Sequence, residues 1–490
     1  MRVVMLGWEF PPFISGGLGT ACYGLTKSLD SRGHEVMFVL PRPVDRSAAS
    51  HIRLLSPEGA VVSAPMRMSD GTVVQTGTEI ISEKVTVGGA GSGVFKSTKF
   101  VGVPAGFRTP YPPGGGGGGG SGLGPRLNPG PRYVKTVLPD GSILETLEEV
   151  VDWSEEHEED LRQARATFGV AGGGAGPHYM GDLIGESERY ARLVVAMARN
   201  EEFDVVHAHD WLTFPAGQAL ARVTGKPLVV HVHSTEFDRS GDHVNQRIYD
   251  IERRGMMAAM RVIAVSELTK SLCVRRFGIP AGKVDVVYNG IDADHQAPVG
   301  STILSRDKIV LFLGRITMQK GPEYFIGAAR RVLEKVPEAK FIMAGSGDME
   351  LRMIELAAEY GIGHKVLFTG FLRGADVARV YSMADCYVMP SVSEPFGIAP
   401  LEAMRSDVPV IISKQSGVSE VLTHALKVDF WDIDEMANKI VAVLRHPPLS
   451  QTLREHGTIE IKRLTWEGAA KACERTYEAA VNGQSRLLGV

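Results

Sequence analysis

The chain has 490 residues, of which 44% are hydrophobic and 22% charged, with a formal net charge of −4. That length exceeds what one hydrophobic core serves and suits two, and the composition is that of a soluble globular enzyme. The charge balance excludes a general nucleic-acid or anionic-membrane surface, and no apolar run approaches the roughly 20 residues that span a bilayer.

From the N-terminus, Arg2 to Gly7 reads as a buried strand. Its apolar stretch stops at Gly7-Trp8-Glu9, too early for a secretory segment. Gly16-Gly17-Leu18-Gly19-Thr20 opens a helix to about Ser31, and Val36 to Leu40 is the next strand. Strand, glycine-rich turn, helix, strand is the start of a dinucleotide-type αβ fold. The region that follows is different in kind. It holds an unbroken run of seven glycines, Gly114 to Gly120, a Pro/Gly-rich stretch from Pro125 to Pro131, and a second glycine patch at Gly172 to Gly176. Such composition cannot offset its chain entropy by burial, so a flexible insert is expected over about 88–178.

Alternation then resumes. Strands are expected at Val205 to His207, Pro227 to His233, Arg261 to Val265 and Val284 to Tyr288, with helices at about Phe214 to Val223 and Glu267 to Phe277. A second block has strands Ile309 to Leu313, Lys340 to Ala344, Val366 to Thr369, Cys386 to Met389 and Val408 to Ile412. Its helices are Glu323 to Val336, Met349 to Tyr360, Ala375 to Ser382, Ile398 to Arg405 and Asp434 to Leu444. Short, nearly all-apolar strands are those of parallel sheets covered on both faces. Two such blocks predict an α/β protein with two doubly wound sheets, whose ligands bind outside the carboxyl ends of the strands.

The chemistry-bearing residues fall at those ends. Ser393-Glu394-Pro395-Phe396-Gly397-Ile398-Ala399-Pro400-Leu401-Glu402 follows the strand ending at Met389 and turns into a helix. The backbone amides of 396–399 would sit at that helix start, suited to a phosphate, with Glu394 at the mouth and Glu402 about two turns along. Gly314-Arg315-Ile316-Thr317-Met318-Gln319-Lys320-Gly321 follows another strand and carries two cations. Cations for a diphosphate, amides for its oxygens and a carboxylate for ribose hydroxyls together suit a nucleoside diphosphate.

These segments resemble the retaining sugar-nucleotide glycosyltransferases of glycosyltransferase family 4 and the related glycogen and starch synthases. Further carriers of the resemblance are Ser15-Gly16-Gly17-Leu18-Gly19, Val206-His207-Ala208-His209-Asp210-Trp211, Val265-Ser266-Glu267 and Val287-Tyr288-Asn289-Gly290-Ile291-Asp292. The resemblance covers nearly the whole chain apart from the glycine-rich insert. It implies the GT-B fold, two Rossmann-like domains facing across a cleft. The domains would be an acceptor-side domain at 1–297, a nucleotide-sugar domain at 298–462, and a helix at 463–490 returning to the first domain.

The implied reaction moves a hexose from a nucleoside diphosphate sugar to a hydroxyl. Arg315 and Lys320 would then neutralise the departing diphosphate, and Glu402 would bind the donor ribose. Glu394 would position the sugar and stabilise its positive charge, with front-face attack by the acceptor. His209 would reach the donor sugar and His207 would be buried, while Asp210 could cap the following turn. Gly16 and Gly17, with the 395–398 segment (Pro395, Phe396, Gly397, Ile398), would line the donor. One departure is Ile14, where the glycogen synthase pattern places a lysine two residues before the first glycine.

His231-Val232-His233-Ser234-Thr235-Glu236-Phe237-Asp238-Arg239 enters the cleft from a strand, making His233, Glu236 and Arg239 candidate acceptor or sugar contacts. A metal site there is the minority alternative. Asp292-x-Asp294 and Asp432-x-Asp434 read as turn and helix-cap residues, so no metal is required. Cys22, Cys273, Cys386 and Cys473 lack metal-ligand spacing, which points to a reducing cytoplasm. The leading function is an α-glucan synthase of glycogen type, using UDP-glucose or ADP-glucose and no other cofactor. The alternative is a family 4 enzyme acting on a small, lipid-linked or cell-envelope acceptor. A phosphorylase-like enzyme or a sugar-nucleotide sensor is the competing class.

Overall fold

A computed structural model describes residues 1–10, 17–41, 65–67, 73–75, 99–102, 132–137, 143–148, 183–292 and 307–488. The chain divides into two compact units, one of residues 1–58, 82–114 and 177–490, the other of 59–81 and 115–176.

The larger unit contains two parallel sheets. The first is built from β1 (Arg2–Leu6), β2 (Glu35–Leu40), β5 (Lys99–Gly102), β8 (Val205–His209), β9 (Leu228–Val232), β10 (Arg261–Ala264) and β11 (Val284–Val286). Its order is β11-β10-β9-β8-β1-β2-β5, every pair parallel. The second comprises β12 (Lys308–Leu313), β13 (Ala339–Ala344), β14 (Val366–Gly370), β15 (Cys386–Met389), β16 (Val410–Ser413) and β17 (Leu426–Val428). Its order is β14-β13-β12-β15-β16-β17, again all parallel. This is the doubly wound α/β architecture expected from the strand pattern. The chain winds outward in one direction from β12 to β13 and β14, then returns to place β15 on the other side. The crevice of the second sheet therefore opens between the carboxyl ends of β12 and β15. Those ends lead directly into Gly314-Arg315 and Pro390-Ser391.

The smaller unit, in its described part, is two antiparallel hairpins, β3 (Pro65–Arg67) with β4 (Val73–Gln75), and β6 (Arg132–Val137) with β7 (Ile143–Glu148). The expectation of flexibility over 88–178 falls mostly outside the described residues. Within that stretch, Lys99–Gly102 pairs with β2 as an edge strand of the first sheet.

Helices that the sequence pattern left unassigned include Leu183–Ala198, Gln246–Ala258 and Pro447–Ile461. Gln246–Ala258 carries an interior glycine, normally a helix-weakening choice. Gly255 is there because Phe214 packs against it; a Cβ would lie 2.4 Å from the Phe214 ring. The final helix, Trp466–Leu488, packs on the first sheet. Trp466, Ala470, Cys473 and Tyr477 share a buried cluster with Met5, Leu25, Val205 and Val229. Gly24 accommodates the Trp466 ring, and Gly290 lies against the Thr465-Trp466 backbone. Among the described residues no helix is long and apolar enough to cross a membrane.

Candidate active site

The carboxyl end of β12 continues through Gly314 into a short turn at Met318–Lys320. Gly321 closes that turn with a left-handed φ of 63°, and a Cβ there would lie 2.2 Å from the Pro390 carbonyl oxygen. Only glycine meets both demands. The β12 turn is thereby pressed onto the segment leaving β15. The Val392 amide donates to the Gln319 carbonyl at 2.9 Å, and Lys320 Nζ reaches Glu394 Oε2 at 2.5 Å. Ser391 Oγ donates to the same carboxylate oxygen at 3.2 Å. Lys320 and Glu394, 74 residues apart in sequence, are thus an ion pair at the switch point of the second sheet.

The carbonyl side of the site is held by a third strand end. The Glu394 amide donates to the Gln415 carbonyl, and the amides of Gly417 and Val418 donate to the carbonyls of Glu394 and Phe396. Phe396 itself is buried, in a cluster with Leu401 and Ile412. Gly397 takes a φ of 105°, with its Cβ position 3.2 Å from Glu394 Cγ. The helix that follows is Ala399–Arg405, starting one residue later than expected because Ile398 serves as its N-cap. The amides of Gly397 and Ile398 find no acceptor among the described residues. Glu402 lies inside this helix. The Tyr381 hydroxyl is 3.1 Å from its Oε2, and burial pushes the Glu402 carboxyl up from its ordinary pKa. Tyr381 carried no motif, so nothing in the sequence marked it.

A glycine pair also escaped the sequence reading. Gly345 and Gly347 follow β13, and a Cβ at either would collide with the backbone of the β12 turn, 1.8 Å from Gly314 O and 2.2 Å from Ile316 O. The signal was present as Gly-x-Gly directly after a strand. These glycines let the Arg315 turn settle against the neighbouring strand end, where the Ile316 amide donates to Ser346 O at 3.0 Å.

The first sheet contributes four histidines from adjacent strand ends. His209 and His231 are register partners on β8 and β9. His207 Nδ1 is 2.7 Å from the Tyr477 hydroxyl, and His209 Nδ1 is 2.9 Å from His233 Nε2. His207, His209 and His231 are fully buried, while His233 is half-buried at the strand mouth. Burial lowers His207 and His233 to about 3, and His209 and His231 well below the usual histidine value, so all four are neutral imidazoles near pH 7. Ring nitrogens of His207, His209 and His231 lie within 4.8 Å of one another, the spacing of a metal candidate. The His207 and His231 rings are stacked 8° from parallel.

Asp210 does not cap its own turn. It adopts a left-handed φ of 57°, and its carboxylate accepts from the amides of His233 and Ser234 at 2.7 and 3.3 Å. It ties the two strand ends together, and the non-glycine left-handed conformation marks a position fixed by its surroundings. Burial raises its pKa to about 7.

Glu236 and Arg239 are buried and engaged with each other. Arg239 Nε donates to Glu236 Oε2 at 3.1 Å, and its outer nitrogens reach Glu252 Oε1 at 2.6 Å and Ser234 Oγ at 2.5 Å. This network holds the short helix Glu236–Ser240, and both side chains are buried within it. Gly17 opens the helix Gly17–Ser31 with open space around its Cβ position, and Gly16 lies outside the described residues. Asp432 accepts from the Glu435 amide at 3.0 Å, capping its helix, and Asp292 pairs with Lys27 at 3.3 Å.

Two Rossmann-like sheets with strand-end cations and carboxylates in one crevice define a glycosyltransferase of the GT-B fold. Residues 2–87 match the starch synthase catalytic domain, 150–295 glycosyltransferase family 4, and 297–459 the glycosyl transferases group 1. An uncharacterised glycosyltransferase of Methanocaldococcus jannaschii is 32% identical over 307 residues, 58% of this chain and 78% of that one. The glycogen synthase of Mycobacterium tuberculosis is 27% identical over 292 residues, 57% of this chain and 70% of that one. Among solved structures, the sucrose-phosphate synthase of Thermosynechococcus elongatus aligns with a TM-score of 0.64 at 18% identity, covering 98% of each chain. The chain belongs to the group 1/family 4 glycosyltransferases.

Proposed function

We propose that the protein is a retaining, metal-independent hexosyltransferase that moves glucose from UDP-glucose or ADP-glucose to a hydroxyl of an α-glucan. The observation that carries this reading is the Lys320–Glu394 pair at the β12/β15 switch point. It sets a cation and a carboxylate where a diphosphate and an anomeric centre must both be served. Arg315 and Lys320 bind the diphosphate and stabilise the charge that grows on it as the glycosidic bond breaks. Glu394 lies under the developing oxocarbenium ion. The acceptor hydroxyl attacks from the face the diphosphate leaves, and a phosphate oxygen takes its proton. Glu402 holds the ribose, and Tyr381 fixes its rotamer. Residues 298–462 carry the donor and 1–297 the acceptor, and the similarity to a glycogen synthase favours a glucan there.

Burial redirects one role. His209 is fully buried, whereas His233 is the half-buried member of the histidine group at the strand mouth, so His233 carries the sugar contact and His209 orients it through their 2.9 Å bond. The His233→Ala variant should lose roughly tenfold in kcat/KM, the worth of one hydrogen bond of about 1.4 kcal/mol, at nearly unchanged Tm. In His209→Ala the Tm itself should fall. Equal activity in His233→Ala and wild type removes His233 from the site.

Nucleoside diphosphate release from UDP-glucose and from ADP-glucose, each with and without glycogen, tests the function. Glycogen-dependent release is the expected result and identifies the donor. Release that instead requires a small or lipid-linked acceptor replaces the glucan reading with the family 4 alternative.

A further inference from the structure

The segment carrying Glu394 is held from both sides by residues of the first-sheet half. On one side, Ser393 Oγ donates to Asp238 Oδ1 at 2.6 Å. Asp238 is buried and fixed by its other oxygen, which accepts from the Thr235 amide and hydroxyl at 2.7 and 2.8 Å. On the other side, Ser266 Oγ donates to the Pro395 carbonyl at 2.6 Å while accepting from the Thr269 amide at 3.0 Å. Ser266 is the N-cap of the helix Glu267–Phe277. The remaining open amides of that helix start are capped by a residue from the second half. Glu420 accepts from Glu267 N at 2.9 Å and Leu268 N at 2.7 Å, one bond to each carboxylate oxygen. The Tyr288 hydroxyl, also from the first half, adds a third bond at 3.1 Å. An anionic side chain at a helix N-terminus is favoured by both the unpaired N–H groups and the helix dipole. Gly417 makes the approach possible, because a Cβ there would lie 2.5 Å from Ser266 Cβ and 2.2 Å from Pro395 O.

We infer that Glu420 and Ser393, with their partners across the cleft, are positioning residues that complete the Glu394 site only when the two halves are docked. Separation of the halves removes the bonds on residues 393 and 395 at once, and the backbone flanking Glu394 loses its fixed course. Closure over the acceptor side is in this way coupled to assembly of the donor side. Lys320 remains paired within the second half, so nucleotide binding does not depend on the clamp. The inference rests on the donor site proposed above.

The test uses Ser393→Ala and Glu420→Ala in the full chain, with Glu420→Asp as the conservative variant. Each alanine variant should lower kcat about tenfold, the population change for losing one helix cap or one short hydrogen bond. The Kd for UDP or ADP should stay at the wild-type value, and small-angle scattering of the nucleotide-bound protein should report a larger radius of gyration. Glu420→Asp, which keeps the charge, should recover part of the rate. Wild-type kcat and radius in both alanine variants overturn the clamp, as does a nucleotide Kd that weakens in step with kcat. If the wild-type protein turns over neither donor with glycogen, the glucan reading fails while the scattering and Kd comparison still decides the clamp.

Discussion

In Lys320→Ala, kcat falls by about 10²–10³, the range for removing one preorganised donor from a transition-state charge. Two effects add in this variant. In the proposed reaction, the departing diphosphate loses a cation that was already in place before the bond broke. Glu394 also loses its partner, and its side chain is only 9% exposed. A nearly buried carboxylate without a counter-charge is disfavoured, so the variant tends to protonate or displace the group meant to face positive charge. Glu394→Gln then has a smaller effect in the Lys320→Ala background than in wild type. A double-mutant cycle measured on kcat at saturating donor shows this as a positive coupling, since residues in contact are not additive. Arg315→Ala belongs to the same range, because the proposed reaction places Arg315 on the same diphosphate. Near wild-type turnover in either cation variant removes the diphosphate assignment, and additive behaviour in the cycle removes the functional meaning of the 2.5 Å pair.

The cycle also shows what the sequence disclosed and what it withheld. The strands around Arg315 and Glu394 were legible because a doubly covered parallel strand is an apolar run ended by glycine or proline, a purely local pattern. Their order allowed the crevice to be placed, since binding at strand ends follows from topology. Side-chain exposure was not local. His209 matched the expected motif, yet Tyr477, from the final helix, packs against His207 and bonds it, 270 residues away in sequence. Which histidines are fully buried depends on such packing from distant residues, and no spacing rule contains it. Glu236 and Arg239 are a related case. An acid and a base in one segment carry no local sign of the partner that engages both, Glu252, 16 residues on from Glu236. Cross-cleft bonds such as Ser393 to Asp238 were invisible because each partner alone is an ordinary polar loop residue.

The same buried histidines set the protein's response to acid. Unfolded histidine titrates near 6.5, whereas folded His207 and His233 titrate near 3, and His209 and His231 also lie far below the unfolded value. As pH falls through 6.5 the unfolded chain takes up protons that the folded chain refuses. Their contribution to stability is therefore fully present above pH 6.5 and lost progressively toward pH 3. Asp210 and Glu252 work in the opposite sense. Their folded pKa values are raised to about 7 and about 8 by burial, so the folded chain binds those protons first and gains stability as pH falls from 8 toward 4. Near pH 5.5 each depressed histidine adds up to one proton taken up on unfolding, about 1.4 kcal/mol per pH unit, and the raised carboxylates Asp210, Glu252, Glu323 and Glu402 offset part of that sum. Above pH 7 the carboxylates alone titrate, and stability declines again. The thermal midpoint should therefore peak near neutrality and drop by several degrees between pH 6.5 and pH 5.5. Calorimetric scans across pH 5 to 8 measure this directly. In His231→Gln, which cannot take up a proton when unfolded, the acid-side slope should fall by about one proton's worth, roughly 1.4 kcal/mol per pH unit. A midpoint that stays level from pH 6.5 to 5 would mean that the histidine group already takes up protons in the folded state, and neutral stacking beneath the sugar site would have to be abandoned.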